Sequence, residues 1–257
     1  MKKLSNEFKK LKKYIPKNSN IYLELDLIKL KDFFIERDNK KVLNFILKEF
    51  LSIIGNKGNL IVPSFTYSWG KDSKEKIFNI NSSLAKTGVF PNFLLSKRNS
   101  TRTNDPMFSF IVLGKDKKKL CDIGKSSFGK NSLFEKINNK KTYLVSFGLN
   151  KFDPTFVHYV EEYFDKNVKK IKYRFLKRYE GYFYKKTKKK DYFYSFSRNL
   201  KLNKLYNEKN IKKILLKKKK LKIVNFYNFD VFISSAYDFY KEGIKGMKSN
   251  INFFSKS

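Results

Sequence analysis

Apolar and polar positions along the chain change period several times, which divides it into predicted helices and strands. Residues 40–54 carry apolar side chains at helical spacing, and Gly55 and Gly58 follow as signals that end a helix. The apolar runs on either side, 21–28 and 59–63, are typical of strands. A strand, a helix and a strand at this spacing predict a βαβ unit and hence an α/β sheet.

Further elements follow from the same pattern. They are a short basic helix over 4–14, strands over 107–113 and 142–148, a helix over 133–137 capped by Ser132, strands over 172–176, 181–184 and 192–196, and helices near 208–216 and 234–241. The alternation beyond residue 170 predicts antiparallel hairpins, whereas 64–105 shows little regular pattern apart from 88–95, as is typical of functional loops. We therefore expect an α/β fold in which a mixed sheet has flanking helices and an antiparallel C-terminal portion, within a single domain over 1–257.

The chain contains one histidine, His158, which is therefore the first candidate for proton transfer near pH 7. On a helix, Glu161 and Glu162 would share the face of His158, three and four residues further on. Either carboxylate could hold one ring nitrogen protonated and leave the other as a base. Taken alone, the segment also fits a histidine packed beside a surface ion pair, and that alternative is the more common.

The formal net charge of +35 suggests a nucleic acid or an anionic membrane as partner. The excess is almost all lysine, however, spread from Lys2 to Lys256 and accompanied by many Asn, Ile, Phe and Tyr, the residues of A/T-rich codons. Because a base-composition bias accounts for this without a selected partner, a nucleic-acid-binding protein is the less favoured alternative. The few arginines are more informative, because lysine cannot replace a guanidinium that binds a phosphate or carboxylate through two hydrogen bonds. Arg98 and Arg102 lie close together and suggest that an anion is bound near them.

Composition also limits the class of protein. The single cysteine, Cys121, excludes an internal disulfide and a cysteine-based zinc cluster, and we expect no metal. No apolar run has the length of a membrane span or of a signal peptide. We therefore expect a cytoplasmic protein, in which Cys121 has a structural role.

Several segments together resemble the aminoglycoside 3-N-acetyltransferase family, an antibiotic-resistance family. The segments are, in order, 58–67 (GNLIVPSFTY), 88–91 (GVFP), 102–109 (RTNDPMFS), 127–132 (SFGKNS) and 158–161 (HYVE). Their order and spacing fit that family over nearly the whole chain. The resemblance implies the family's fold and transfer of an acetyl group from acetyl-coenzyme A (acetyl-CoA) to an amine of an amino sugar.

The resemblance implies that His158 matches the catalytic histidine of the family, with Glu161 as its partner in a His-x-x-Glu helix. A thioester is already an activated acyl donor, so no enzyme nucleophile is needed if the amine attacks directly. The amine is mostly protonated at pH 7, and a neutral His158 could take its proton. Glu161 would then set the tautomer and stabilise the imidazolium that forms.

Binding residues are also implied by the resemblance. The candidate coenzyme contacts are Arg102, with Thr103 in place of a family serine, and the loop residues Phe128, Gly129 and Ser132. The candidate substrate-binding residues, which lie in or beside the same motifs, are Tyr67, Asp105 and Glu162.

Two positions depart from the family pattern. Asp105 replaces the histidine that precedes the proline in resistance enzymes, which is at odds with an aminoglycoside substrate. Aminoglycosides are also polycations, which a +35 protein repels, so we expect a glycan-precursor or nucleotide-linked amino sugar instead. Glu24 and Asp26 stand where many members carry His-Ser-Ser, an element that contacts the coenzyme. The alternative that the chain is a relative that has lost catalysis through this change therefore stays open.

Overall fold

The computed structural model describes residues 1–35, 37–184, 189–202 and 204–256. Its strands are β1 (Asn20–Leu25), β2 (Asn59–Pro63), β3 (Ile77–Phe78), β4 (Thr101–Arg102), β5 (Phe110–Gly114), β6 (Thr142–Phe147), β7 (Arg174–Phe183), β8 (Asp191–Arg198), β9 (Leu205–Tyr206), β10 (Leu221–Phe226), β11 (Phe229–Ser235) and β12 (Ser255–Lys256). Within these residues a seven-stranded sheet has the order β10-β11-β6-β1-β2-β5-β4. A separate sheet has the order β3-β7-β8, and β12 pairs with β9.

The helices are α1 (Lys2–Leu11), α2 (Lys31–Ile35), α3 (Asn39–Ile54), α4 (Val89–Leu95), α5 (Lys117–Cys121), α6 (Leu133–Ile137), α7 (Val157–Asn167), α8 (Lys209–Lys217) and α9 (Ala236–Ser249), with short 3-10 turns at Ile28–Leu30 and Leu200–Leu202. Parallel pairing of β1 with β2, across α3, confirms the predicted βαβ unit. β1 is also parallel to β6, whereas β2–β5, β4–β5, β6–β11 and β10–β11 are antiparallel. The predicted α/β class with a mixed sheet and an antiparallel C-terminal portion is thus confirmed.

Helices cover both faces of the large sheet, because side chains of each strand alternate between the faces. On β1, Ile21 and Leu23 belong to one buried cluster, with α1, α3 and α4, whereas Tyr22 belongs to the other, with α6, α7, α8 and α9. The first cluster is rich in Leu, Ile and Phe from α3, and the second is dominated by aromatic rings. α7, the helix that carries the candidate histidine, is therefore held against the second face of the sheet.

Several strand boundaries differ from those predicted. β7 is one strand from Arg174 to Phe183, where the sequence predicts two strands over 172–176 and 181–184. Gly181 lies inside it, and a Cβ atom there would approach Trp69 Cδ1 to 2.5 Å. β5 begins at Phe110 rather than 107, since Asp105 Oδ1 accepts hydrogen bonds from the backbone N–H groups of Met107 and Phe108 and holds a turn. The pattern does not predict β10 and β11, which form the antiparallel edge of the large sheet.

We expect Phe8→Ala to lower the free energy of unfolding by about 3–5 kcal/mol, because it empties a fully buried site. The Phe8 ring lies 5.2 Å from that of Phe50, 5.8 Å from Phe147 and 5.0 Å from Phe226. Urea denaturation measures the effect, and Tyr14→Ala, at an exposed site, is the matched control that changes it by less than about 0.5 kcal/mol. If 1–257 is a single domain, as the sequence predicts, the transition shifts as a whole, and two separate transitions would contradict this.

Candidate active site

Two cavities meet at His158. Cavity A has a volume of about 210 Å³, and cavity B has about 440 Å³. Both are lined by His158, Arg174 and Arg198. Cavity A adds Asp153, Thr155, Glu161 and Tyr206 among others, and cavity B adds Phe108, Lys177, Ser195 and Lys201 among others. The single histidine of the chain thus faces two separate spaces, each large enough for part of a small molecule.

Helical spacing brings His158 and Glu161 together, as the sequence predicts. His158 Nδ1 lies 3.0 Å from Glu161 Oε2, and Arg174 Nε forms an ion pair with the same oxygen at 2.6 Å. The Glu161 side chain is 1% exposed and that of His158 is 22% exposed. Because an ionised carboxylate can only accept hydrogen bonds, this contact places the proton on Nδ1. Nε2 is left as the acceptor nitrogen, with no hydrogen bond to any residue that the structure describes.

The pKa of His158 lies below its usual value of 6.5. Burial is the largest cause, because it disfavours the charged imidazolium, and the positive charge of Arg174 adds to it. The hydrogen bond and charge of Glu161 act in the opposite direction. His158 also lies in the first turn of α7, where the helix dipole disfavours a cation. At pH 7 the ring is therefore mostly neutral, which is the form of a base.

The His158 ring is held from the side by the predicted loop 127–132. Phe128 packs edge-on against it, with ring centroids 5.2 Å apart and planes at 84°. The next residue is Gly129, where a Cβ atom would come within 2.4 Å of Glu162 Oε1 and would force that side chain to shift. Glu162 forms an ion pair with Lys166 beneath the loop. Phe128 and Gly129 therefore act on the position of α7, whereas coenzyme contacts for them stay a prediction.

A third cavity, cavity C, lies at the carboxyl ends of β1 and β2. It has a volume of about 320 Å³, includes Glu24, Phe65 and Thr87 in its lining, and shares Asp153 and Thr155 with cavity A. Glu24 Oε1 accepts hydrogen bonds from the Thr155 backbone N–H at 2.9 Å and from the Tyr22 hydroxyl at 2.6 Å. Burial raises the pKa of this carboxyl. The position where the family pattern has a coenzyme-contacting element thus lies in a cleft that leads to His158.

Arg102 is 6% exposed and its guanidinium binds protein oxygens only. Nε donates to the hydroxyls of Ser64 and Ser109, Nη1 to the carbonyl of Ser83 at 2.6 Å, and Nη2 to the carbonyl of Ser64 at 2.9 Å. Arg102 does not line cavity A, B or C. These contacts favour a structural role over the predicted contact with coenzyme phosphates.

Two other predicted coenzyme contacts also make internal hydrogen bonds. The Thr103 hydroxyl accepts from the Phe110 backbone N–H at 2.9 Å, at the edge of the large sheet. Ser132 is the N-cap of α6, as predicted, and its hydroxyl accepts from the Glu135 backbone N–H at 3.2 Å. Neither lines cavity A, B or C, so both positions differ from those expected of residues that touch a ligand.

The predicted substrate-binding residues lie around the site rather than in it. Asp105 is buried in the turn before β5, and burial raises its pKa to about 6, against the effect of its backbone hydrogen bonds. Glu162 is buried and forms an ion pair with the exposed Lys166, and neither carboxylate lines cavity A, B or C. Tyr67 is partly exposed, and its ring contacts that of Phe108, which lines cavity B, at 5.4 Å. Tyr67 and Asp105 thus both contact Phe108, and none of the three residues lines cavity A, B or C.

The site also contains residues that the sequence motifs do not indicate. Arg174 and Arg198 come from the alternating segment after residue 170. The scarcity of arginine in this chain is the signal that could have indicated them as site residues. Thr155 and Asp153 come from the turn before α7. The buried Tyr206 hydroxyl lines cavity A and has no hydrogen-bond partner among the described residues. No short-range pattern links these residues, because they converge from separate elements.

Other chemistry finds less support in the described part of the chain. No group of three or more His, Cys, Asp and Glu there could hold a metal ion. Burial raises the pKa of Cys121 to about 12, which disfavours the reactive thiolate. No helix among the described residues has the length and apolar character needed to cross a membrane.

The chain was compared with protein families and with solved structures. A family model described as aminoglycoside 3-N-acetyltransferase matches residues 38–248. Among solved structures, the aminoglycoside acetyltransferase AAC(3)-IVa apoenzyme aligns with a TM-score of 0.73 at 13% identity, covering 98% of this chain and 89% of that one. YokD from Bacillus subtilis gives 0.72 at 14% identity, covering 97% and 95%, and AAC-IIIb in a binary complex with CoASH gives 0.71 at 14%, covering 96% and 95%. No curated protein sequence matches the chain significantly.

The family match covers most of the chain, and the fold agrees with it over nearly all of its length. The chain is thus an acyltransferase by class, an N-acetyltransferase that uses acetyl-CoA. It belongs to the aminoglycoside 3-N-acetyltransferase family, as the motifs predict.

We expect Arg102→Ala to destabilise the fold by about 3 kcal/mol or more, because it leaves several buried oxygens without a donor. Urea denaturation measures this, with exposed Arg98→Ala as the control that changes little. Titration calorimetry on the folded variant should then give an unchanged affinity for coenzyme A. Weakened coenzyme binding in a stable Arg102→Ala protein would instead support the role predicted from the sequence.

Proposed function

We propose that this enzyme acetylates an amine of an amino sugar, with His158 as general base and Glu161 as the residue that orients it. The observation that carries the proposal is the 3.0 Å contact of Nδ1 with Glu161, which leaves Nε2 as a neutral acceptor at the junction of two cavities. A base needs a pKa near or below the working pH and a free nitrogen that faces the substrate. His158 has both.

The proposed reaction needs no covalent enzyme intermediate. The amine nitrogen attacks the thioester carbonyl while His158 Nε2 takes its proton, so that the N–C bond forms and the C–S bond breaks. The proton then passes from the imidazolium to the departing thiolate. Glu161, buried beside the ring, stabilises the transient positive charge, and Arg174 fixes the carboxylate in place.

The cavities suggest how the two substrates approach His158. Cavity C lies outside the carboxyl ends of parallel strands, between β2 and β6, where ligands of open α/β sheets commonly bind. We assign this cleft to the acyl end of acetyl-CoA, with Thr87 and Thr155 as available polar contacts. The acceptor then approaches from the other side of His158.

The acceptor class follows from charge. Aminoglycosides are polycations, and both cavities beside His158 are lined by Arg174 and Arg198 within a protein of net charge +35. A neutral or anionic acceptor, such as a glycan-precursor or nucleotide-linked amino sugar, is therefore preferred. The second candidate is an aminoglycoside, because AAC-VIa, at 14% identity, has been solved with sisomicin bound. A cytoplasmic location stays a prediction.

We expect His158→Ala to lower kcat by about 10²–10⁴-fold, because it removes the general base. Thiol release from acetyl-CoA is followed with glucosamine, glucosamine 1-phosphate, a nucleotide-linked amino sugar and sisomicin as acceptors. Calorimetry with coenzyme A gives the same affinity for both proteins if only the base is lost. Equal rates in the variant would contradict the role of His158, and preferred turnover of sisomicin would contradict the acceptor class.

We expect Glu161→Gln to lower the pKa of His158 further, because the carboxylate supports the imidazolium. NMR titration of the histidine ring reports this directly, since the chain contains a single histidine. A base acts when neutral, so activity is lost as the pH falls through the His158 pKa, below 6.5 in the wild type. In Glu161→Gln, the acidic limb of the pH–activity profile moves to lower pH, and kcat on the plateau of that profile falls.

The matched control for Glu161→Gln is Glu180→Gln, which removes an exposed carboxylate paired with Arg178. It should leave both the NMR titration and the pH profile unchanged. The acceptor amine adds its own limb to the profile, which is the same in all three proteins. A His158 pKa that rises in Glu161→Gln would contradict the assigned role of the carboxylate.

A further inference from the structure

Among the described residues, every charged side chain that lines cavity B is positive. Its charged lining residues are Arg174, Lys177, Arg198 and Lys201, and no Asp or Glu lines it within the described part of the chain. Cavity A differs, since Asp153 and Glu161 lie among its lining residues. Of the two spaces that His158 faces, cavity B is therefore the one suited to an anion.

Arginine makes this cavity distinct from the lysine-rich surface. The chain has six arginines among 58 basic residues, and two of them, Arg174 and Arg198, face each other directly in the β7–β8 ladder. Like charges in such a pair oppose strand pairing. Glu161 compensates Arg174, but Arg198 has no hydrogen-bond or ion-pair partner among the described residues. The guanidinium of Arg198 is therefore available to donate two hydrogen bonds to a ligand with paired oxygens.

We propose that cavity B binds a phosphate or diphosphate group of the acceptor, through Arg198 and Lys201. The inference rests on the proposed function, in which the acceptor amine lies beside His158. Coenzyme A also carries phosphates, so the source of the anion must be argued. Cavity C, assigned to the acyl end of the coenzyme, shares no lining residue with cavity B, and cavity A lies between them. The anion in cavity B therefore belongs to the acceptor.

The test is calorimetric titration of the full chain with inorganic pyrophosphate, at about 0.15 M salt, where exposed charges are largely screened. Arg198→Gln should weaken binding at least about tenfold, and Arg198→Lys should recover part of it, because a point charge replaces the fork. Arg178→Gln is the matched control, since Arg178 lies on the same hairpin but outside the cavity and pairs with Glu180. It should bind pyrophosphate like the wild type.

Saturating coenzyme A separates the two sources of phosphate. Pyrophosphate should bind equally well with coenzyme A present, and Arg198→Gln should leave coenzyme affinity unchanged. Equal pyrophosphate binding by Arg198→Gln would mean adventitious attraction to a basic surface, and displacement by coenzyme A would assign the cavity to the coenzyme. Either result overturns the proposal.

Activity provides a second readout. Arg198→Gln should raise KM for a phosphorylated amino sugar by a larger factor than KM for its unphosphorylated counterpart, and a KM raised equally for both would count against the site. If no amino sugar is acetylated, yet pyrophosphate binding depends on Arg198, the proposed function fails and the anion site stands. If acetylation depends on His158 but not on Arg198, the proposed function stands and the anion site fails.

Discussion

Parallel hydrogen bonding of β1 to β6 on one side and to β2 on the other determines where this enzyme can place its chemistry. It brings three carboxyl ends to one edge of the sheet, and the chain leaves that edge through turns that require close contact. At Gly148 (φ +75°), directly after β6, a Cβ atom would lie 2.1 Å from the Asp26 carbonyl oxygen, directly after β1. The turn that follows then delivers Thr155 to Glu24 and begins α7. The position of His158 is thus a consequence of strand order.

Electrostatics at the site depends on one shared carboxylate oxygen. Glu161 Oε2 contacts both the His158 ring and the Arg174 guanidinium. Arg174 is always charged, so a second positive charge on His158 is disfavoured, and the ring rests in its neutral form. When the ring does gain a proton, the same oxygen is already in contact with it. The arrangement therefore suits the proposed role of His158, because it favours the neutral ring and still supports a protonated one.

The sequence predicts what depends on short spacing. The βαβ unit, the N-cap at Ser132 and the His158–Glu161 pair follow from periods of two and of three to four residues, which local backbone geometry enforces. Arg174 and Tyr206 reach the site through pairing between distant strands, which a single sequence does not encode in any local pattern. Arg102 illustrates the opposite error. Arginine is scarce and suits an anion, but it equally suits a cluster of buried carbonyls and hydroxyls, and Ser64, Ser83 and Ser109 supply those.

The packing of α1 has a consequence for the order of events during synthesis. Phe8 is made well before Phe226 of β10, one of the rings that cover it. Until β10 emerges from the ribosome, the apolar side of α1 lacks part of its cover and is open to other contacts. Contacts so distant in sequence also delay folding, because the intervening chain must close first. We therefore expect the apolar side of α1 to be exposed to chaperones until β10 has been made.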